Sequence, residues 1–212
     1  MATDTYFSCP MPRQNRSPKS THKNAQQVRI IGGKWKGRKV HFPSVPGLRP
    51  TPVRIRQTLF NWLRPHMHDT DCLDLFAGSG VLGFEALSQG AASLTSVDMQ
   101  RDCRQSIHAE VEQLSGSMAI DFDVQAGDAL RYLRACATCF DIIFVDPPYD
   151  QPDLLANSLS IIAERSLCRG FIYAESRSID RLHDSAEHAG LVVFRETQAG
   201  DAHGLLLTIP PD

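Results

Sequence analysis

Between Cys72 and Glu175, short apolar runs alternate with longer stretches of helical periodicity, and this alternation narrows the available folds more than any other feature. Strands separated by helices pair in parallel through right-handed crossovers, leaving helices on the faces of one sheet. The pattern predicts strands over 72–76, 94–98, 120–124, 140–146 and 171–175. It predicts helices over 81–89, ended by Gly90, and around 154–167. Between them lies a helix with Cys103, Ile107, Val111 and Leu114 on one face. Ile120, Phe122 and Val124 alternate with polar residues, as in a strand near the sheet edge. Residues 191–194 and 205–209, joined through Ala199-Gly200-Asp201, read as an antiparallel hairpin that closes a mostly parallel seven-stranded α/β sheet.

The first strand runs into DLFAGSGVLGFEAL, where Gly78, Gly80 and Gly83 give the spacing G-x-G-x-x-G. In a strand-to-helix turn such glycines let the backbone approach a bound ligand at the carboxyl edge of the sheet. Asp98 ends the second strand twenty positions after Gly78, where a carboxylate can accept both hydroxyls of a ribose. NAD and S-adenosylmethionine fit this spacing equally. Asp74, in the first strand, can hold the ammonium of an amino acid, a group that only the methyl donor has. Asp128, in AGDAL, can accept from an adenine amine, and it can equally be a plain helix N-cap before Ala129.

FVDPPYD, residues 144–150, ends an apolar strand on a carboxylate and then fixes two backbone torsions with proline. A nucleobase amine is a poor nucleophile because its lone pair is delocalised into the ring. Acceptors on its two N–H bonds favour the tetrahedral nitrogen from which methyl transfer proceeds. The Asp146 carboxylate and the Pro147 carbonyl can be those acceptors, with Pro147 and Pro148 holding them in place and Tyr149 offering a face to a base drawn from its stack. The bland alternative is a strand ending in a tight turn. Such a transfer needs no metal and no nucleophilic side chain.

Charge is divided along the chain. Residues 1–60 carry twelve Lys and Arg against one acid, Asp4, while the rest carries ten against 23. A basic arm on an acidic body points to a polyanion, most simply nucleic acid. Residues 1–27, rich in Ser, Pro, Asn and Gln, read as a disordered tail. Residues 28–66 read as a hairpin turning at Gly32-Gly33, followed by a helix through Leu63 with Thr51 as N-cap and Pro52 at its first position. Lys34, Trp35, Lys36, Arg38 and Lys39 near the turn, then Arg49, Thr51, Arg54 and Arg56, are the candidate RNA contacts. Trp35 reads equally as a stacking platform or as core. Residues 67–212 read as the Rossmann-like sheet domain.

A chain of 212 residues that is 42% hydrophobic can bury one good core. Its apolar runs are too short to span a bilayer, and its N-terminus carries no apolar secretory segment, so a cytoplasmic, monomeric protein without membrane contact is expected. Six cysteines fit that compartment. The lone CxxC pair, Cys136 and Cys139, follows a helical pattern instead of opening one, so it reads as structural thiols.

DLFAGSG, VD, GDAL and FVDPPY, together with RIIGGKWKGRKV and LRPTPVRIRQTLFNWL, make residues 28–176 resemble the RsmD family of bacterial small-subunit (16S) ribosomal RNA guanine-N2 methyltransferases. The resemblance implies a Rossmann-like methyltransferase fold, S-adenosyl-L-methionine as donor, and a loop guanine of the 30S subunit or its assembly intermediate as target. It puts Gly78, Gly80 and Asp98, with Asp74, Phe76 and Ala129, at the cofactor, Asp128 at its adenine, Asp146 to Tyr149 at the amine, Arg49, Pro50 and Thr51 at the active-site mouth, and Lys34 to Lys39 at the RNA. Val53 and Gln57 stand where family members usually carry acids. Three rivals stay open: an adenine-N6 methyltransferase, a nicotinamide dehydrogenase and a noncatalytic RNA-binding assembly factor. Glu175, in YAES, either supports the pocket or is an exposed strand end.

Overall fold

The computed structural model describes residues 25–116 and 119–210, apart from the Pro152 side chain. The tail expected over 1–27 lies outside these residues as far as 24, and by Gln26 the chain is already in a strand.

Two strands, β1 (Gln26–Arg29) and β2 (Lys39–Phe42), pair antiparallel and lead into helix α1 (Val53–Leu63). The main sheet then alternates β3 (Asp71–Asp74), α2 (Val81–Gln89), β4 (Ser93–Asp98), α3 (Arg101–Ser115), β5 (Asp121–Ala126), α4 (Ala129–Ala135), β6 (Phe140–Val145), α5 (Pro152–Glu164), β7 (Cys168–Ser176), α6 (Ile179–His188), β8 (Val192–Ala199) and β9 (Ala202–Thr208). Its order is β5-β4-β3-β6-β7-β9-β8, parallel except where β9 runs against β7 and β8. The seven-stranded sheet with its antiparallel C-terminal hairpin is thus the architecture expected from the alternation. Strand order reverses between β3 and β6, so a crevice opens at their carboxyl ends, the usual ligand position in such sheets.

One apolar cluster fills each face of the sheet. On the first, Ile30, Trp35 and Val40 of the hairpin join Ile55, Leu59, Phe60 and Leu63 of α1 with residues of α2 and α3. On the second, Leu133, Leu159, Ile162 and Leu182 bring in α4, α5 and α6. The four apolar side chains of α1 are essentially inaccessible, each contributing about 1.5–3 kcal/mol relative to exposure. The basic extension and the sheet therefore share a core.

Several expectations are corrected. Gly32-Gly33 does not form a two-residue turn; residues 30–38 make a longer loop with a 3-10 turn over Gly33–Trp35 that folds onto the last turn of α2. A Cβ on Gly33, whose φ is +71°, would lie 1.8 Å from the Ser88 carbonyl oxygen, so only glycine fits. Trp35 is 2% exposed, a core residue and no stacking platform. Pro52, not Thr51, occupies the N-cap of α1, because the Thr51 hydroxyl turns to another partner. Helix α6 was not anticipated, although Ser178 caps it by accepting from the Arg181 amide.

Arg56, expected at the RNA, is fully buried. Its Nη1 donates to Glu85 Oε1 of α2 at 2.6 Å and to the Arg29 carbonyl, and its Nε donates to the Thr51 carbonyl. Glu85 also accepts the Ile31 and Gly32 amides at 2.8 and 3.2 Å. Removing one partner strands a buried charge, so Arg56→Ala should lower the unfolding free energy in urea by about 3–5 kcal/mol and abolish amide-exchange protection in the hairpin first.

Candidate active site

The crevice is a cleft of about 980 Å³, at the upper end of the ~300–1,000 Å³ usual for small-molecule sites. Its floor is the turn between β3 and α2. Gly78 and Gly80 take φ values of +51° and +73°, and Gly83 lets its amide reach Asp74 Oδ2 at 3.2 Å. Gly78 lines the cleft, whereas Gly80 sits behind the surface, where a Cβ would meet Phe84 and Ile107.

Asp98 clamps the loop: Oδ2 accepts the Gly78 amide at 2.7 Å and Oδ1 the Gln100 amide at 2.6 Å. Each oxygen keeps a second lone pair, and the residue lines the cleft, so a ribose diol remains within its acceptor capacity. Asp128 caps α4 by accepting the Arg131 amide at 2.8 Å. Asp128 is thus a helix N-cap, and Asp128 and Ala129 also line the cleft, as does Phe76.

Asp74, 2% exposed, lies at the base of the cleft. Burial pushes its carboxyl up to about 7, against the Gly83 amide, which opposes the rise, while the Asp98 charge adds to it. A carboxyl held so uncomfortably is matched to a cation, and an ammonium entering the cleft would relieve the cost. The glycine turn, the diol acceptor and this buried acid together fit an amino-acid nucleoside cofactor.

At the end of β6, the strand paired with β3, Asp146, Pro147, Pro148 and Tyr149 line the same cleft. Thr51 Oγ1 donates to Asp146 Oδ2 at 3.2 Å, and among the described residues Oδ1 receives no donor. Among the described residues no backbone amide takes the Pro147 carbonyl. Burial raises the Asp146 carboxyl well above the usual range, and the nearby Glu175 charge raises it further, against the Thr51 hydrogen bond. Glu175 is 1% exposed and accepts the Tyr149 hydroxyl at 2.8 Å and the Tyr173 hydroxyl at 2.7 Å. It supports the pocket, and the exposed-end alternative falls. The Arg177 guanidinium lies 4.5 Å from the Tyr149 ring centre, covering one face.

Arg49 and Thr51 line the cleft, on a loop that also brings Val45 to Leu48 over the glycine turn. Arg49, Pro50 and Thr51 were expected at the mouth of the site, whereas Val45 to Leu48 were not, although Pro46-Gly47 marks their turn. The remaining candidates lie elsewhere. Lys34, Lys36, Arg38 and Lys39 are exposed near the last turn of α2, roughly 10 Å along that helix from the glycine turn. Arg54 is exposed on the first turn of α1.

The family model described as "Conserved hypothetical protein 95" matches residues 28–207. Ribosomal RNA small subunit methyltransferase D of Escherichia coli (strain K12) is 42% identical over 160 residues, covering 74% of this chain and 79% of that protein. The chain belongs to the RsmD family. The solved structure of the putative methyltransferase yhhF from Escherichia coli superposes with a TM-score of 0.72 at 38% identity, over 86% of this chain and 97% of that one. At 18% identity, a putative SAM-dependent methyltransferase from Streptococcus mutans shares the fold, with a TM-score of 0.64 over 86% of this chain and 55% of its own. The RsmD-family cleft is thus set in a methyltransferase fold.

Raising Asp74 from 3.8 to about 7 means that the folded chain binds an extra proton between those values, so this group costs stability as pH rises through them. Asp74→Asn should raise the unfolding free energy of the ligand-free protein at pH 8 by on the order of a few kcal/mol and leave it unchanged near pH 4. Urea titrations at the two pH values test this; an equal effect at both would show an ordinary carboxylate.

Proposed function

We propose that this protein transfers a methyl group from S-adenosyl-L-methionine to the exocyclic N2 amine of one guanine in small-subunit (16S) ribosomal RNA, in the cytoplasm and within the 30S particle or a late assembly intermediate. The observation that carries the reading is that Asp146 and Pro147 line the same cleft as the glycine turn. Among the described residues neither the second Asp146 carboxylate oxygen nor the Pro147 carbonyl takes an intramolecular donor.

Asp98 would hold the ribose, Asp74 the ammonium, and Asp128 with Ala129 the adenine edge. Bound there, the sulfonium of the cofactor supplies an electrophilic methyl group. The work left to the chain is on the amine. Asp146 Oδ1 and the Pro147 carbonyl accept its two N–H bonds, drawing the lone pair out of conjugation and toward the cofactor side. Thr51 holds Asp146 in that rotamer. Because burial and Glu175 make Asp146 more basic than an ordinary carboxylate, it is suited to take the proton that the nitrogen sheds. Tyr149, fixed at its hydroxyl by Glu175, offers a rigid ring to the extruded base.

Residues 28–66 would serve as the RNA-facing extension. Arg49 and Arg54 lie at the cleft end, and Lys34, Lys36, Arg38 and Lys39 reach flanking phosphates at the other. RNA binding of this kind weakens with salt as counterions are released.

Incubation with labelled cofactor and unmodified 30S particles, naked small-subunit RNA or duplex DNA, followed by nucleoside digestion and mass identification, should give N2-methylguanosine from ribosomal samples alone. N6-methyladenine from DNA would overturn the reading. Asp146→Ala should lower kcat by about 10²–10³-fold, the scale of one lost transition-state hydrogen-bonding group, with RNA affinity unchanged. Wild-type turnover by that variant would remove Asp146 from the chemistry. Since Asp146 must be ionised to accept, kcat should rise with pH along an acid limb displaced above the ordinary carboxylate range.

A further inference from the structure

Strand β8 is a sheet edge, and its ladder with β9 slips: Val193 pairs with Leu207 and Arg195 with Leu206, so Phe194 is an unpaired bulge residue. A bulge re-aims side chains. Here it turns two consecutive residues to the side covered by α1. The Phe194 ring, 49% exposed, lies 5.4 Å from Phe171, and the Arg195 guanidinium lies 5.3 Å from the Phe194 ring and 5.9 Å from Trp62 of α1. The His66 ring, just past α1, lies 5.0 Å from Phe171, tilted by 53°.

This cluster adjoins a helix without acids. No Asp or Glu occurs between Asp4 and Asp69, and the outer face of α1 presents Arg54, Gln57, Asn61 and Arg64. The nearest carboxylate on β8, Glu196, is paired with His183 at 3.0 Å. Helix α1 starts beside the cleft, where Thr51 reaches Asp146, and its eleven residues carry the surface roughly 16 Å away. Exposed rings interleaved with cations, free of competing carboxylates, are the chemistry that takes unpaired nucleotides: bases stack on rings and guanidinium planes, and cations meet phosphates.

We infer that the outer face of α1 and the β8 bulge form a second RNA-contact surface, which holds unpaired nucleotides of the substrate RNA one helix length from the methylated base. This rests on the RNA methyltransferase reading above. Arg195, now lying between two rings, is the residue that an incoming base would meet.

The test uses the full chain, unmodified small-subunit RNA, and the variants Phe194→Ala/Arg195→Ala and Arg195→Lys, with thermal unfolding as a check of fold. The double variant should weaken RNA binding and raise the RNA KM by about tenfold, the scale of one lost stacked base. It should reduce the log–log salt slope by about 1, with kcat and S-adenosylhomocysteine affinity unchanged. Arg195→Lys keeps the charge and loses the plane, so it should keep the salt slope and lose part of the affinity. Wild-type affinity and salt slope in both variants would overturn the inference while leaving the methyltransferase reading intact. So would a defect confined to 30S particles, which would assign the surface to a protein, or lost self-association with unchanged RNA binding, which would assign it to a second copy. A wild-type chain that neither binds nor methylates the RNA would remove the functional reading and the surface together.

Discussion

The contact on which most of the molecule depends is the buried ion pair between Arg56 and Glu85. Two charges removed from water are costly, and burial pulls both toward their neutral forms. The geometry offsets that cost by giving each charge several partners. Glu85 receives the guanidinium and two hairpin amides, while Arg56 also reaches the Arg29 and Thr51 carbonyls. One pair thereby joins the hairpin, α1 and α2. Through Thr51 it extends to the cleft, since the residue whose carbonyl is held by Arg56 uses its hydroxyl to hold Asp146. The orientation of Asp146 in the cleft thus depends on a side chain buried outside it.

The two walls of the cleft obey opposite electrostatic logic. On the glycine side, carboxylates are engaged by backbone amides, which fix them without adding charge. On the other side, Asp146 and Glu175 repel one another, and neutral hydroxyls from Thr51, Tyr149 and Tyr173 hold them in place. A site gathering this much negative charge with few fixed cations favours a positively charged donor over its neutral product, which supplies a reason for product to leave.

What was legible in the sequence was what local pattern dictates. Apolar runs of fixed length set the strands, the glycine spacing set the turn, and Asp-Pro-Pro-Tyr set one wall. What was illegible depended on partners far along the chain. The loop at Gly32-Gly33 looks like a tight turn until Glu85 and Ser88, more than fifty positions away, take its amides and its hydroxyl-bonded carbonyl. Arg56 counted as a basic surface residue because sequence gives no hint that Glu85 points at it. Trp35 lay within a run of cations yet packs inward. Helix α6 was missed for a different reason: Ile179, Leu182 and Ala186 form too thin an apolar stripe to stand out, although Ser178 and Gly190 mark its ends.

The bulge at Phe194 bears on assembly as well as on ligands. An edge strand with a regular ladder of free amides and carbonyls is a template on which another chain can add itself. In β8 the extra residue breaks the repeat, twists the strand and sets an arginine beside the break. A neighbouring strand approaching that edge would find its hydrogen bonds out of phase after two residues. The same irregularity that turns Phe194 and Arg195 outward therefore guards the open side of the sheet against growing an eighth strand.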